Sequence, residues 1–450
     1  MRVIKAPFRP RGGVHPGYFK NLTADKPARS MPMPSELYVS MAQHLGAPAK
    51  PLVKKGDAVL QGQAIGAANG FVSAAVHAPA AGKVKAVEEF PGLSGKPVMT
   101  VVIETDPAGG VDQSLPPMPE WRNLDPGLLR ERVAAAGIVG MGGAGFPTHI
   151  KLSPPSGRVI DTLIVNGAEC EPYLTADYRL MLEHSDRVWT GAEIIAGILG
   201  VKRVAVAIED NKPAAIRCME KAMQSAPESA QVVALPTHYP QGAEKQQIYA
   251  VTGREVPSGG LPMDVGCLVE NAGTCAAICA AVTEGLPLTH RLVTVTGRSV
   301  RDPQNVLAPI GATLAGLAEF CGGLHGAPGK AICGGPMMGV AQATLDAAMT
   351  KTTSGLLFLP RSQVVQFTAM PCISCGRCVA ACPMGLMPCE LSELLETGNY
   401  DAAETGNVMD CIECGSCAFE CPAHRPLVQH LRLGKTEVAN RRRARDAAKK

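Results

Sequence analysis

Eight cysteines near the end of the chain carry its clearest chemistry: Cys372, Cys375, Cys378 and Cys382, then Cys411, Cys414, Cys417 and Cys421, with a proline after the last of each set. Both runs read C-x2-C-x2-C-x3-C-P, a thiolate spacing suited to cubane [4Fe-4S] clusters. The first three sulfurs of a run lie on one tight turn and can cap three corners of one cube, while the fourth is carried to the neighbouring cube. The spacing therefore predicts Cys372, Cys375, Cys378 and Cys421 at one cluster, and Cys411, Cys414, Cys417 and Cys382 at the other. Structural zinc knuckles would leave the C-x3-C-P tails without a role. Cys389 belongs to neither run and reads as a small buried apolar residue.

A second group of residues surrounds a glycine-rich loop. Gly137, Gly140, Gly142, Gly143 and Gly145 let the backbone approach a flat ligand or a phosphate closely, with free amides available for anionic oxygens. Alone, such a loop can equally be a structural turn, and isolated Glu residues are usually solvated. Three further stretches point to the same place: Asn166-Gly167-Ala168-Glu169-Cys170-Glu171-Pro172-Tyr173, Tyr239-Pro240-Gln241-Gly242-Ala243-Glu244-Lys245, and Asn271 with Thr274. The second of these opens a helix whose N-terminus suits a phosphate. Two carboxylates, an amide and a lysine around a glycine loop fit a ribityl-phosphate flavin with its ring exposed to a nicotinamide.

The elements that must hold these groups can be read from periodicity. Helices over 128–136, 180–199 and 214–223 alternate with Val/Ile-rich strands over 159–165, 204–208 and 231–235, which indicates a largely parallel sheet covered on both faces. Ligands then lie at the C-terminal strand ends. Between the cysteine runs, Leu391, Leu394 and Leu395 fall at helical spacing before a Gly398-Asn399 stop, and a second short helix begins at Asp401. That predicts an all-helical cluster domain. From Leu52 to Val84, short strands separated by Gly-Asp and Pro-Ala-Ala-Gly turns imply a flattened barrel. It resembles lipoyl and biotinyl carrier domains, yet no lysine occurs between Lys55 and Lys83, and Gly70-Phe71 occupies the expected tip. The carrier function is therefore absent. Alternation from Leu292 to Thr296 and a helix over 313–320 indicate a β-grasp-like module.

Composition bounds the rest. With 450 residues, 46% apolar and 18% charged, the chain can bury a sizeable core in about three domains or more. A net charge of +3 predicts no extended nucleic-acid face. The sixteen cysteines need a reducing compartment. No secretory signal pattern opens the sequence, and the most apolar window, 191–208, is broken by Glu193, Lys202 and Arg203. The turn-rich first thirty residues, including Arg11-Gly12-Gly13-Val14-His15-Pro16, are expected to wrap the outside of a domain. The block Arg441-Arg442-Arg443-Ala444-Arg445 reads as a solvated tail.

The loop Gly140 to Thr148 with Lys151, the Asn-Gly-Ala-Glu-Cys-Glu-Pro stretch and the Tyr-Pro-Gln-Gly-Ala-Glu-Lys helix start resemble the NADH-binding flavoprotein subunit of respiratory complex I. With the Gly-Gly-Val-His-Pro head, the lysine-less barrel and the paired cysteine runs, the whole layout more closely resembles the RnfC family of the Rnf/Rsx ion-translocating electron-transport complexes. The resemblance spans residues 5 to 432. It implies a multidomain α/β fold: an arm (1–30), a barrel-sandwich hybrid (31–106), a linker (107–127), a Rossmann-like FMN/NADH domain (128–289), a β-grasp module of SLBB type (290–362), a helical ferredoxin domain with two [4Fe-4S] clusters (363–433) and a basic tail (434–450). It also implies non-covalent FMN held by Gly140, Gly142, Gly143, Lys151, Asn166, Glu169, Tyr239, Gly242, Asn271 and Thr274, and NADH near Phe146, Glu171 and Glu244. Met141 and Ala168 depart from the complex I pattern, where an arginine and an aspartate are common, and both remove polar contacts.

Hydride carries two electrons and a cubane cluster accepts one, so a flavin between them would divide the pair. The expected function is an electron-input or electron-output subunit of a membrane-bound ion-translocating NAD:ferredoxin oxidoreductase, with no acid or base catalysis by side chains. Its expected partners are the membrane subunits of that complex, NAD(H), and ferredoxin or flavodoxin reached through a sister subunit. Membrane contact would be indirect, at the cytoplasmic face of a bacterial inner membrane. The competing readings are a cobalamin reductase of a bacterial microcompartment, which the barrel and His-Pro head disfavour, and a flavin-free iron-sulfur relay.

Overall fold

The computed structural model describes residues 3–448; the extreme residues of the 1–30 and 434–450 ranges lie outside it. A five-stranded, wholly parallel sheet organises the middle of the chain, in the order Val3–Lys5, Ala230–Leu235, Arg203–Glu209, Thr162–Asn166, Cys267–Asn271. Its strands are apolar on both faces because helices cover both. Leu163 and Val165 face the helices Pro126–Ala135, Ser185–Leu199 and Ala272–Cys279, while Ile164 faces Glu244–Thr252. Burying each such side chain contributes roughly 1.5–3 kcal/mol. Helix Ser185–Leu199 crosses Ala272–Cys279 so closely that a Cβ on Gly191 would sit 1.8 Å from the Cys275 carbonyl oxygen, so only glycine fits there.

Several sequence expectations are corrected. The strand expected over 159–165 begins at Thr162, because Val159 is exposed and precedes the sheet. The helix expected over 180–199 is two helices, Ala176–Glu183 and Ser185–Leu199, separated at His184, whose φ of −140° is not helical. The arm does more than wrap a surface: Val3–Lys5 becomes an edge strand of the parallel sheet, and Arg29–Ser30 pairs with Gln304–Pro309 in another sheet. The segment 107–127 is anchored rather than loose, with Trp121 buried and the Met118 amide donating to the Val282 carbonyl.

The barrel consists of a four-stranded and a three-stranded sheet around Leu37, Val39, Ile65, Val76, Val101 and Ile103. Phe71 stands exposed at its hairpin tip. A six-stranded mixed sheet, including His290–Thr296 and Gly355–Leu359, packs with helix Leu314–Phe320, and its Val293, Val295 and Leu314 share one continuous core with the parallel-sheet domain. The C-terminal region is helical among its described residues. Pro388–Glu396 and Tyr400–Thr405 pack on the long helix Leu427–Ala448 around Leu391, Leu395, Leu427 and Leu431. The arginine block is solvent-exposed, as expected, but it is helical rather than loose: it extends that helix, and Arg442 and Arg445 pair with Glu404 at 2.6 and 2.5 Å while Arg441 lies over the Tyr400 ring.

Candidate functional site

The sheet's C-terminal edge gathers the second group of residues. Asn166 and Asn271 end adjacent parallel strands in register. The Asn166 amide donates to the Gly242 carbonyl at 2.9 Å and accepts from Gln247 at 2.7 Å, joining two of the three stretches read from the sequence. Asn271 caps the following helix by accepting from the Gly273 amide, and Thr274 one turn on accepts from the Met141 amide at 2.9 Å. The glycine loop is thereby laid over this edge. Gly143, with φ of +112°, has open space where a Cβ would point, and Gly142, Gly143 and Ala144 are exposed residues whose amides have no hydrogen-bond partner among the described residues. Lys151 reaches the same edge, with Nζ 3.3 Å from both Glu244 and Glu270. Burial acts to lower its pKa, but the two carboxylates outweigh that and hold the ammonium above its usual value.

The acidic residues divide by role. Glu244 is half-exposed beside Lys151 at the crevice. Glu169 is not free: its carboxylate accepts from the Asp177 and Tyr178 amides at 2.8 and 3.1 Å and so closes the end of helix Ala176–Glu183. Glu171 accepts from the Met337 and Met338 amides at 3.2 and 2.7 Å, pinning a turn of the β-grasp module. Burial pushes Glu171 up from 4.5 to about 7, against the pull of those two amides and of Lys20. The folded protein then holds a proton between about pH 4.5 and about pH 7 that an unfolded chain releases, so this group's contribution to stability falls as pH rises through that window. Glu171→Gln is expected to flatten the dependence, which chemical denaturation of wild type and variant across this range would measure.

Sequence reasoning missed the supports of the site. Lys20 donates to the carbonyls of Glu169, Glu171 and Leu174 at 2.8, 2.9 and 2.6 Å, and Lys212 donates to the Ala168 carbonyl at 2.6 Å, so two lysines brace the Asn-Gly-Ala-Glu-Cys-Glu loop. Arg291, 4% exposed, holds the Met141 carbonyl with one nitrogen and the Lys351 carbonyl with another. Lys351 in turn donates to Ala75 and Gly137 at 2.6 and 2.7 Å, and its burial lowers it to about 7. Phe146 is half-buried at the end of the loop, and its carbonyl accepts from the Gly140 amide.

The cysteines form two cavities in the helical domain. One is lined by Cys372, Cys375, Cys378 and Cys421, the other by Cys382, Cys411, Cys414 and Cys417, so the fourth cysteine of each run faces the other run's first three. The two turns are local copies of each other: Ser374 and Glu413 both have φ of +56°, and both donate their amides to the preceding cysteine sulfur at 3.4 Å. Cys389, half-buried, packs against the apolar core of the helical domain, as expected, and also lines the first cavity beside Cys378. Cys372 and Cys375 are exposed, while Cys414 and Cys417 are buried. The buried cavity abuts the flavin domain: the Tyr239 hydroxyl donates to the Cys414 carbonyl at 2.6 Å, and Gln246 donates to the Pro383 carbonyl at 3.1 Å.

Comparison with known proteins agrees with this geometry. Residues 8–108 match the RnfC barrel sandwich hybrid domain, 133–280 the Nuo51 FMN-binding domain, 292–341 the SLBB domain and 365–422 the 4Fe-4S dicluster domain. The chain is 49% identical, over 95% of its length and 93% of the relative's, to the C component of the proton-translocating ferredoxin:NAD(+) oxidoreductase complex of Clostridium ljungdahlii. The chain belongs to the RnfC family. Further members are the C component of the Na(+)-translocating ferredoxin:NAD(+) oxidoreductase complex of Acetobacterium woodii, 46% identical over 98% of this chain and 99% of the relative, and that of the ion-translocating oxidoreductase complex of Rhodobacter capsulatus, 44% identical over 96% and 84%. As an RnfC family member, the chain is a flavo-iron-sulfur subunit with FMN and two [4Fe-4S] clusters as cofactors. The residues present fit both groups. Exposed loop residues and Lys151 border the crevice, the buried Oγ1 of Thr148 and Oε1 of Gln247 lack hydrogen-bond partners among the described residues, and two four-thiol cavities have apolar walls. Among the described residues no helix is long and apolar enough to cross a membrane.

Proposed function

We propose that this protein exchanges hydride with NAD(H) at the glycine-loop crevice and passes electrons singly between that crevice and its partners through the two cysteine cavities, at the cytoplasmic face of the membrane. One observation carries the order of the path: the Cys382, Cys411, Cys414 and Cys417 cavity is tied to the flavin domain through Tyr239, whereas the Cys372, Cys375, Cys378 and Cys421 cavity opens to the surface at Cys372 and Cys375. FMN, when bound, converts a two-electron carrier into one-electron steps. The chain's own part is to position. Gly140, Gly142, Gly143, Asn166, Gly242, Asn271 and Thr274 shape the flavin seat, Lys151 supplies its positive charge, and Glu169 and Tyr239 hold the neighbouring backbone. Phe146, Glu171 and Glu244 border the nicotinamide side. The partners are the membrane subunits of the complex and, through them, ferredoxin, the redox partner that the names of the clostridial and acetogenic relatives carry.

The test is reduction of the anaerobically purified protein by NADH, followed in the visible spectrum. Flavin and cluster bands should bleach together; cluster bands that respond to dithionite but never to NADH would remove the crevice from the path. Glu244→Ala is expected to slow this bleaching on the order of tenfold, because a group placed to orient the nicotinamide is lost. Its iron content should stay at the wild-type value, as Glu244 touches neither cavity. An unchanged rate would take Glu244 out of the site.

A further inference from the structure

The Arg11-Gly12-Gly13-Val14-His15-Pro16 stretch is not accounted for by either site, yet it lies between them. The Gly13 amide donates to the Ala381 carbonyl at 2.9 Å, one residue before Cys382. Val14 and Tyr239 exchange two backbone hydrogen bonds, at 2.7 and 2.9 Å, forming an isolated antiparallel bridge. Gly12 and Gly13 both have left-handed φ, +64° and +85°. A Cβ on Gly12 would lie 2.6 Å from the Cys382 carbonyl oxygen, and one on Gly13 would lie 2.6 Å from the Tyr239 carbonyl oxygen. Neither position tolerates a side chain, because backbone approaches backbone on both sides. Val14 is buried in a small apolar cluster with Cys170, Tyr239, Ala381 and Cys414. The Tyr239 hydroxyl closes the ring by its bond to the Cys414 carbonyl.

We propose that Gly12, Gly13 and Val14 form, with Tyr239, a seam that fixes how closely the inner cysteine cavity seats against the flavin crevice, so that the N-terminal arm is a positioning element for internal electron transfer. The proposal rests on the reading of the crevice and cavities given above. The logic is geometric. The seam contacts the backbone of residues 381–382 from the first cysteine run, and Tyr239 contacts that of Cys414 from the second. Cys382 and Cys414, one from each run and both lining the inner cavity, are thus held through the backbone at 381 and 414 by the segments that bear Val14 and Tyr239. A shift of this grip would change the gap between the two sites while leaving all eight thiols and all the flavin-seat residues in place.

The experiment uses the full chain purified anaerobically with its cofactors, as wild type, Gly12→Ala, Gly13→Ala and Val14→Ala. Stopped-flow mixing with NADH resolves flavin reduction from cluster bleaching. Amide hydrogen exchange is read over residues 237–242 and 411–416. The expected result is wild-type iron and flavin, an unchanged flavin-reduction rate, cluster bleaching slowed on the order of tenfold, and faster exchange in both segments. Wild-type bleaching and exchange in all three variants would overturn the proposal. If either glycine variant loses iron, Val14→Ala, which keeps the backbone and removes only packing atoms, decides by the same two readings. If NADH fails to bleach the clusters of the wild type, the crevice reading itself falls; exchange in the two segments still reports whether the seam couples them.

Discussion

Serine at Cys382 is expected to stop NADH from bleaching either cluster, whereas serine at Cys421 should leave the inner one responsive. The difference follows from the exchange of fourth cysteines. Cys382 lies in the first run by sequence but lines the cavity of Cys411, Cys414 and Cys417, the one linked to the flavin domain through Tyr239. Cys421 lines the exposed cavity with Cys372, Cys375 and Cys378. Each substitution should lower iron from about eight to about four atoms per chain. In the Cys382 variant the surviving irons are cut off from the crevice; in the Cys421 variant they are adjacent to it. Iron analysis with electron paramagnetic resonance after NADH or dithionite addition separates the two cases. If the Cys421 variant were the one to lose all NADH response, the cavities would be assigned to the wrong runs.

Arg291→Leu should release FMN while leaving both clusters in place. Arg291 is buried in the β-grasp module and donates to the Met141 carbonyl, at the root of the exposed Gly142-Gly143-Ala144 turn, and to the Lys351 carbonyl. Leucine would fill part of the space but leave two buried carbonyls unpaired, at about 1–3 kcal/mol each. The loop then no longer presents its amides at a fixed place, and FMN affinity is expected to fall roughly tenfold or more, the scale on which supporting contacts act at metal centres. Fluorescence titration of the flavin-stripped protein measures this directly. Binding at wild-type strength would mean that Thr274, through the Met141 amide, positions the loop by itself.

What the sequence revealed was what local chemistry specifies. Eight thiols at fixed spacing announce their own purpose, and Val/Ile-rich runs such as 159–165 announce a strand buried on both faces, though not where it begins. The stretches carrying Asn166 and Tyr239 could be placed together because each follows a strand read from the sequence, whereas the strand Cys267–Asn271 that ends at Asn271 was not read. Supports that act across long sequence separations left little trace. Lys20 serves carbonyls about 150 residues away, and Lys351 serves one 276 residues away. Arg291 could have been found: it shares the inward face of its strand with Val293 and Val295, where alternation calls for an apolar residue. The edge strands of the arm are two or three residues long, too short for any period to show, and they form because a neighbouring strand supplies their partners. The backbone partners of Glu169 and Glu171 were not legible, since a carboxylate that caps a helix and one that faces a ligand look alike until their partners are known.

The single ammonium of Lys351 has a consequence for how such a chain can be taken apart. It belongs to the β-grasp segment, yet its two acceptors lie in the barrel at Ala75 and at the start of the glycine loop at Gly137. An excised flavin segment would carry four of the five strands of its sheet and every residue of the proposed cofactor seat, and would still expose a carbonyl shaped to meet a donor left behind. Cut points that look natural along the chain therefore sever its wiring, and a hybrid assembled from two relatives would keep this contact only if a lysine at 351 met the backbone at 75 and 137.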